Sequence, residues 1–236
     1  MNTITVSHRG RREVNQDYVL TERINDDCYL YLIADGMGGL EHGGVASKIV
    51  AENILTYLLT VKNPDFFDIQ KSVNKANLAI RQATKKNGLK MGATVGGVII
   101  NRDNAVCFWV GDVKIFRYQE NKLLFESKPH TLMSELVSNG SITDIETAKR
   151  YKHVVTRAVC GDLDKSQVDI YDFGSLNNDD LVVICSDGVH DILDSLQIQQ
   201  IVNASEDIET AIARTEQRLI NEAKDNFSFI FLHEIK

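Results

Sequence analysis

Two apolar runs in this chain break off at the same pair of residues. Leu30 to Ala34 runs into Asp35-Gly36, and Leu181 to Ser186 runs into Asp187-Gly188. Short apolar runs of this kind read as buried strands, so each aspartate stands where a strand leaves the core. A carboxylate in that position is costly unless a cation or several hydrogen-bond donors compensate it. The glycine that follows lets the backbone turn sharply and can bring a carbonyl oxygen close to an ion. Asp17, in Asn15-Gln16-Asp17, and Asp225, in Lys224-Asp225-Asn226, stand beside further extended segments. Any one of these aspartates alone would be an ordinary turn or loop residue. Several carboxylates converging from different strands, with carbonyls and waters, form an all-oxygen set that suits magnesium or manganese rather than zinc or copper.

The elements that must bring these acids together are legible from periodicity. An extended segment around Ile4 to Ser7 is followed by a loop rich in charge and then by the strand Tyr29 to Ala34. Val45 to Leu59 carries Ala46, Val50, Ile54 and Leu58 at a spacing of four, an amphipathic helix, and a second helix follows Pro64. Between Gly92 and Glu126 the pattern changes to short β runs: Ala93 to Ile100, Ala105 to Val110, Val113 to Tyr118 and Lys122 to Phe125. Hairpin-length connections at 101–104 and 119–121 predict that these strands are antiparallel neighbours in one meander. Further β runs are expected near His153 to Arg157, Val168 to Phe173 and Leu181 to Cys185. A helix over Asp207 to Ala223 and a strand from Asn226 to Leu232 close the chain. Helices grouped around an antiparallel meander indicate an α+β layered fold.

Bulk properties narrow the classes. The chain has 236 residues, 43% hydrophobic and 25% charged, with no repeat, no biased tract and two prolines, which fits one domain over residues 1–236. A net charge of -7, from 33 acidic and 26 basic residues, disfavours a nucleic-acid or anionic-membrane partner. No stretch approaches the ~20 apolar residues of a membrane span, and the first ten residues lack a signal-peptide centre, so a cytoplasmic location is expected. Cys28, Cys107, Cys160 and Cys185 lack any close pairing and read as reduced core residues; neither they nor the six histidines offer zinc-ligand spacing. Phe108 and Trp109, within a strand, read as core.

Taken together, Arg12-Glu13-Val14-Asn15-Gln16-Asp17, Ala34-Asp35-Gly36-Met37-Gly38-Gly39 with Ala46-Ser47, Gly92-Ala93-Thr94, Val110-Gly111-Asp112, His130-Thr131, Gly140-Ser141-Ile142-Thr143, Thr156-Arg157-Ala158, Ser186-Asp187-Gly188 and Asp225-Asn226 resemble, over nearly the whole chain, the metal-dependent protein phosphatases of the type 2C family in their bacterial form. The resemblance implies a four-layer α-β-β-α sandwich of two antiparallel sheets with a two-metal centre in a cleft at one end. It implies that Asp35 bridges two Mn2+ or Mg2+ ions, that Gly36 ligates one through its carbonyl, that Asp187 and Asp225 ligate the other, and that Asp17 acts mainly through bound water. Arg12, five residues before Asp17, would grip the phosphate bidentately. A water activated by the ions would attack the phosphoserine or phosphothreonine ester, with no serine or cysteine nucleophile. The implied partners are phosphorylated proteins and a cognate bacterial-type kinase, and the implied state is a monomer. Asp112 is implied to be structural, hydrogen-bonding within the fold near the site.

Three departures from the family pattern carry expectations. Pro129 stands where bacterial members often place an aspartate that helps hold a third metal, so third-metal occupancy is expected to be weak or absent. Met37 stands where animal members place a general-acid histidine; His42 and His153 are weaker candidates for a proton donor than water at the ions. Val113 and Lys114 replace a frequent serine and arginine beside the site. The segment 131–151 resembles the mobile flap that sets target choice. A competing reading is a metal-binding module of the same fold that docks phosphoproteins without turnover. Another keeps the enzyme but narrows its targets to phosphorylated regulators of transcription.

Overall fold

The computed structural model describes residues 2–37, 42–88, 90–102, 104–120 and 122–233. Its strands are β1 (Asn2–His8), β2 (Asp17–Asn25), β3 (Cys28–Met37), β4 (Gly92–Asn101), β5 (Asn104–Val110), β6 (Lys114–Gln119), β7 (Lys122–Glu126), β8 (Asp169–Ser175), β9 (Asp180–Cys185) and β10 (Phe227–His233). Its helices are α1 (Gly43–Leu58), α2 (Phe66–Asn87), α3 (Leu132–Ser138), α4 (Ile145–Ala148), α5 (Asp187–His190), α6 (Ser195–Asn203) and α7 (Ile208–Glu222). One antiparallel sheet has the order β1-β10-β9-β6-β7 and the other β2-β3-β4-β5-β8. Among the described residues no helix is long and apolar enough to cross a membrane.

The continuous apolar runs are strands covered on both faces, and alternation divides their side chains between two cores. In β3, Leu30, Leu32 and Ala34 pack with Val50, Ile54 and Val73 of α1 and α2, whereas Tyr31 and Ile33 face Val182, Ile184, Ile230 and Leu232 of the opposite sheet. In β10 the odd residues Phe227, Phe229 and Phe231 pack with Ile198 of α6 and with Ile212 and Leu219 of α7. This gives the order helices, sheet, sheet, helices, the α+β four-layer sandwich expected above. Helix boundaries follow local chemistry. Asp65 caps α2 by accepting from the Asp68 amide and returns its own amide to the Asp68 carboxylate, and Asp207 caps α7 by accepting from Thr210.

Four local expectations need correction. The stretch between β1 and β3 is not wholly a loop, because Asp17–Asn25 forms β2 at the edge of its sheet. Thr21, Glu22 and Arg23 of this edge strand are exposed in a row, which hides the alternation. The four runs from Ala93 to Phe125 are not one meander: β4 pairs with β5 and β6 with β7, but β5 and β6 lie in different sheets. Residues 111–113 cross between the sheets, their polar groups met by two histidines rather than by a hairpin partner. The Gly111 amide donates to His130 Nδ1 at 3.0 Å, and His190 Nε2 donates to the Asp112 carbonyl at 2.9 Å. Residues 153–157 form no strand and contribute only the isolated bridge between Thr131 and Val155. Cys160 is half-buried rather than core, although all four cysteines are free and the other three are buried. Phe108 and Trp109 are core as expected.

The half-buried His190 sets an acid limit on stability. Burial, then the Lys114 charge, holds its pKa down to about 4, with the charges of Asp191 and Glu126 opposing. The unfolded chain takes up this proton below about 6.5 and the folded chain does not, so stability is lost as the pH falls through that window. By pH 5 the loss is about 2 kcal/mol at ~1.36 kcal/mol per unit. His190→Gln keeps a donor for the Asp112 carbonyl without titrating, so its melting temperature should fall less than the parent's between pH 7 and pH 5. Thermal melts at both values, in chelator, check this; equal slopes would remove His190 as the cause.

Candidate active site

Antiparallel pairing delivers the acids. In one sheet β2 begins where β3 ends, and the register sets Asp17 opposite Asp35, which in turn lies opposite Thr94 of β4. In the other sheet β9 ends beside the start of β10, so Asp187 and Asp225 leave the same end of that sheet. Ser186 joins the two sheets: its amide donates to the Ser228 carbonyl at 3.0 Å and its hydroxyl to Asp17 Oδ2 at 2.8 Å. Like charges placed opposite one another in a sheet repel, so this register is unfavourable without a compensating charge.

The glycines after the aspartates serve a different purpose from the sharp turn expected of them. A Cβ on Gly36 would stand 2.0 Å from the Gly43 carbonyl oxygen, and one on Gly188 would stand 1.9 Å from that of Asn226. Gly36 lets the end of β3 lie directly against the start of α1, and Gly188 lets the first turn of α5 lie directly against the residue before β10. The Gln16 carbonyl accepts from the Gly36 amide at 3.2 Å and from the Ser47 hydroxyl at 2.6 Å. Ala46-Ser47 thus belongs to the site because it fixes the residue before Asp17. The Asn226 side chain accepts from the Gln16 amide and donates to the carbonyls of Arg9 and Val14, each at 2.9 Å. It holds the loop that carries Arg12.

A cleft of about 320 Å³ opens where the two sheets meet, with Arg12, Asp35, Gly36, Asp112, Asp187 and Asp225 in its walls. Asp17 stands behind it. Burial, and then the charges of Asp17 and Asp187, raise the Asp35 carboxyl well above the usual range; burial, then Asp112 and Asp225, does the same to Asp187. Burial raises Asp17 to about 6. Asp112, left out of the reacting set on sequence grounds, stands in the cleft wall, and burial raises its carboxyl too. Arg12 grips Asp225 with two bonds, Nε to Oδ1 at 2.9 Å and Nη2 to Oδ2 at 2.7 Å, and its side chain remains 57% exposed at the cleft mouth.

These residues fit divalent cations in chemistry. Asp17 Oδ1 is buried with no hydrogen-bond partner among the described residues, and among the described residues Arg12 is the one lysine or arginine that lines the cleft with the mutually repelling carboxylates. Carboxylate and carbonyl oxygens are the donor set of hard ions. The side chains share a cleft rather than a closed cage: among the described residues no three His, Cys, Asp or Glu side chains are grouped at metal-ligand spacing. Asp225 is turned onto Arg12 and Asp17 onto Ser186. Among the described residues neither serine nor cysteine lines the cleft. His153 does, where its Nδ1 lies 3.6 Å from Asp191 Oδ2; His42 does not. The Gly38-Gly39 pair of the expected motif lies outside the described residues.

The segment likened to a flap holds α3, α4 and a 3-10 turn at Lys149–Tyr151. Its base is tied down by Leu132 N to Val154 O at 2.8 Å and by Lys152 Nζ to Asp191 Oδ1 at 3.1 Å. Beside Pro129, the buried His130 meets Asp169, which Arg157 also holds at 2.8 Å.

Residues 5–225 match the family model described as Protein phosphatase 2C. The Serine/threonine phosphatase stp of Listeria monocytogenes serotype 4b (strain F2365) is 27% identical over 207 residues, 83% of this chain and 81% of that protein. The crystal structure of the serine/threonine phosphatase Stp1 from Staphylococcus aureus superposes with a TM-score of 0.86 at 22% identity, covering 97% of this chain and 93% of that one. The catalytic domain of the serine threonine protein phosphatase PstP, solved in complex with 2 manganese ions, gives 0.81 at 23% identity over 98% of this chain and 96% of that one. At these identities the two structures bear on the fold.

Proposed function

This chain belongs to the protein phosphatase 2C family, and we propose that it hydrolyses phosphoserine and phosphothreonine esters on proteins, with Asp35, the Gly36 carbonyl, Asp187 and Asp225 holding two Mn2+ or Mg2+ ions. The observation that carries this reading is the delivery of acids from both sheets to one cleft that Arg12 overlooks. The relative with two bound manganese ions has the same fold and supports the number. When bound, such an ion pair supplies a strongly acidified water and neutralises charge on the phosphoryl group.

The chain's own residues do the rest. Asp17, held by Ser186, backs Asp35 from behind the cleft. Arg12 offers a planar fork at the mouth, able to take two phosphate oxygens and hold the ester in line. Absence of serine and cysteine from the walls favours direct attack by water over a phosphoenzyme. Pro129 has no carboxyl, so a third ion is proposed to bind weakly or not at all. The flap over 131–151 is proposed to set target choice.

Residues 1–236 are proposed to work as one catalytic domain, a reading supported by β1 and β10, drawn from opposite ends of the chain and paired over Asn2↔His233 to His8↔Phe227. We further place the protein in the cytoplasm as a monomer opposing a cognate kinase, with four free cysteines as support for the compartment. A dimer mass in sedimentation would remove the monomer from this reading. No observation favours the docking module without turnover.

The test is phosphate release from matched phosphoserine, phosphothreonine and phosphotyrosine peptides in millimolar Mn2+. Release from the first two is expected. Arg12→Ala should raise KM by roughly tenfold or more, the loss of a charged bidentate contact, and Arg12→Lys should not restore it. No release at all, or release from phosphotyrosine alone, defeats the proposal.

A further inference from the structure

The catalytic cleft is the first of three connected depressions. Met37 lines both the cleft and a second cavity of about 500 Å³ bordered by Arg81, Lys85, Lys90, Cys160 and Gly161. Arg81 and Gly161 in turn line a third cavity, of about 350 Å³, bordered by Tyr57, Lys71, Lys75, Leu78 and Leu163. The depressions form one path from the side of Asp35-Gly36 across the outer face of α2.

The lining of this path inverts the charge of the chain. The protein carries a net charge of -7, yet among the described residues no aspartate or glutamate lines the second or third cavity, whereas Lys71, Lys75, Arg81, Lys85 and Lys90 do. Lys71, Leu78 and Lys85 repeat at seven residues, with Lys75 and Arg81 between them, so α2 presents them as one stripe. Among the described residues Lys75, Arg81, Lys85 and Lys90 make no ion pair within 4 Å, and Lys71 has only Asp68 at 3.9 Å. Asp162 and Asp164 are exposed on the adjoining loop and border neither cavity.

The floor is built to stay in place. Asn77, 2% exposed, accepts from the Gly161 amide at 2.7 Å, and Gln70 Oε1 accepts from the Val168 amide at 3.2 Å, pinning the loop 160–168 to α2. Two apolar side chains stand out of this polar surround, Leu78 and Leu163, at 47% and 55% exposure.

We propose that this path is a docking groove for an acidic polypeptide segment, the negatively charged sequence that flanks the phosphorylated residue of a substrate protein. The inference rests on the phosphatase reading above and adds the class of substrate. Uncompensated cations in a row select a polyanion, and the exposed leucines add anchors that suit a peptide better than a nucleic-acid backbone. Continuity with the cleft through Met37 lets one molecule fill the groove and present its phosphate to Arg12. Screening by salt should act on docking and leave the chemical step alone.

The experiment compares kcat/KM for a phosphothreonine peptide with several flanking aspartates and glutamates, the same peptide with those acids replaced by glutamine, and p-nitrophenyl phosphate. The parent should prefer the acidic peptide over the neutral one at least tenfold in low salt, chiefly through KM. In Lys75→Glu/Lys85→Glu that preference should fall to near one, and in Lys75→Ala/Lys85→Ala to an intermediate value. The exposed positions leave the fold intact, which circular dichroism verifies. Equal use of both peptides by the parent, or an undiminished preference in the charge-reversed variant, overturns the groove. Displacement of the acidic peptide by a short RNA or by phosphatidylserine vesicles at lower concentration reassigns the face to that polyanion and also overturns it. Should neither peptide lose phosphate while p-nitrophenyl phosphate does, the protein-phosphatase reading fails instead, so the two failures are distinct.

Discussion

Asp35→Asn should lower kcat for phosphopeptides by roughly 10³-fold, the scale of losing a central electrostatic element of an active site, while leaving the metal-free protein as stable as the parent or more so. The two halves share a cause. Asp35 is half-buried, lies across the ladder from Asp17, and feels the charges of Asp17, Asp187, Asp112 and Asp225. Without a cation that arrangement is repulsive, and an amide of the same shape relieves it. On the proposed assignment the same carboxylate is central to the ion set, so its loss should remove most of the stabilisation that Mn2+ confers. Phosphate release, with melting curves in chelator and in millimolar Mn2+, reads both halves. A variant that retains a tenth of the activity, or gains as much stability from Mn2+ as the parent does, would show that Asp35 is not at the centre of the site.

Removal of divalent ions is the second large effect. Chelation should abolish hydrolysis, and Mn2+ or Mg2+ should restore it. A ligand bound only by the folded state stabilises by RT ln(1 + [L]/Kd), about 2.7 kcal/mol at a hundred times Kd, and relief of carboxylate repulsion is contained in that gain. The melting temperature should therefore climb with ion concentration along the same curve as activity. The arrangement of Asp225 sharpens the expectation. Arg12 holds it bidentately, so on the proposed assignment an ion would compete with a guanidinium for that carboxylate. Asp187→Asn should weaken the concentration dependence of both readouts together. Full activity in excess chelator, or a melting temperature indifferent to Mn2+ and Mg2+, would contradict an ion-dependent site.

Much of the chain could be read before it was folded. Leu30–Ala34 and Leu181–Cys185 are apolar at every position because each strand is covered on two faces, and a run of that kind ends visibly at its first carboxylate. Val45–Leu59 shows its helix because only one side of α1 is covered. What was lost had equally physical causes. Thr21-Glu22-Arg23 face water on an edge strand, so β2 has no apolar signature. Val113 follows a short link that looks like a hairpin, and nothing local says that residues 111–113 change sheets. Asp112 was read as a structural aspartate near the site; that it shares the cleft wall with Asp35 and Asp187 was not legible, because those neighbours are remote along the chain. Ser47, Ser186 and Asn226 stood in family-like stretches without a stated purpose, since each acts on a backbone or a carboxylate far from it in sequence.

Taken alone, the residues determined which side chains are available, which strands are buried, and that acids stand at strand ends, because burial pattern and residue type are local properties. Only the tertiary structure decided that Asp17 faces Asp35, that Ser186 ties the two sheets together, that Arg12 closes on Asp225, and that a cationic groove leads away from the cleft. These are distances between residues separated by up to 213 positions. They follow from antiparallel register and sheet stacking, which no local pattern encodes.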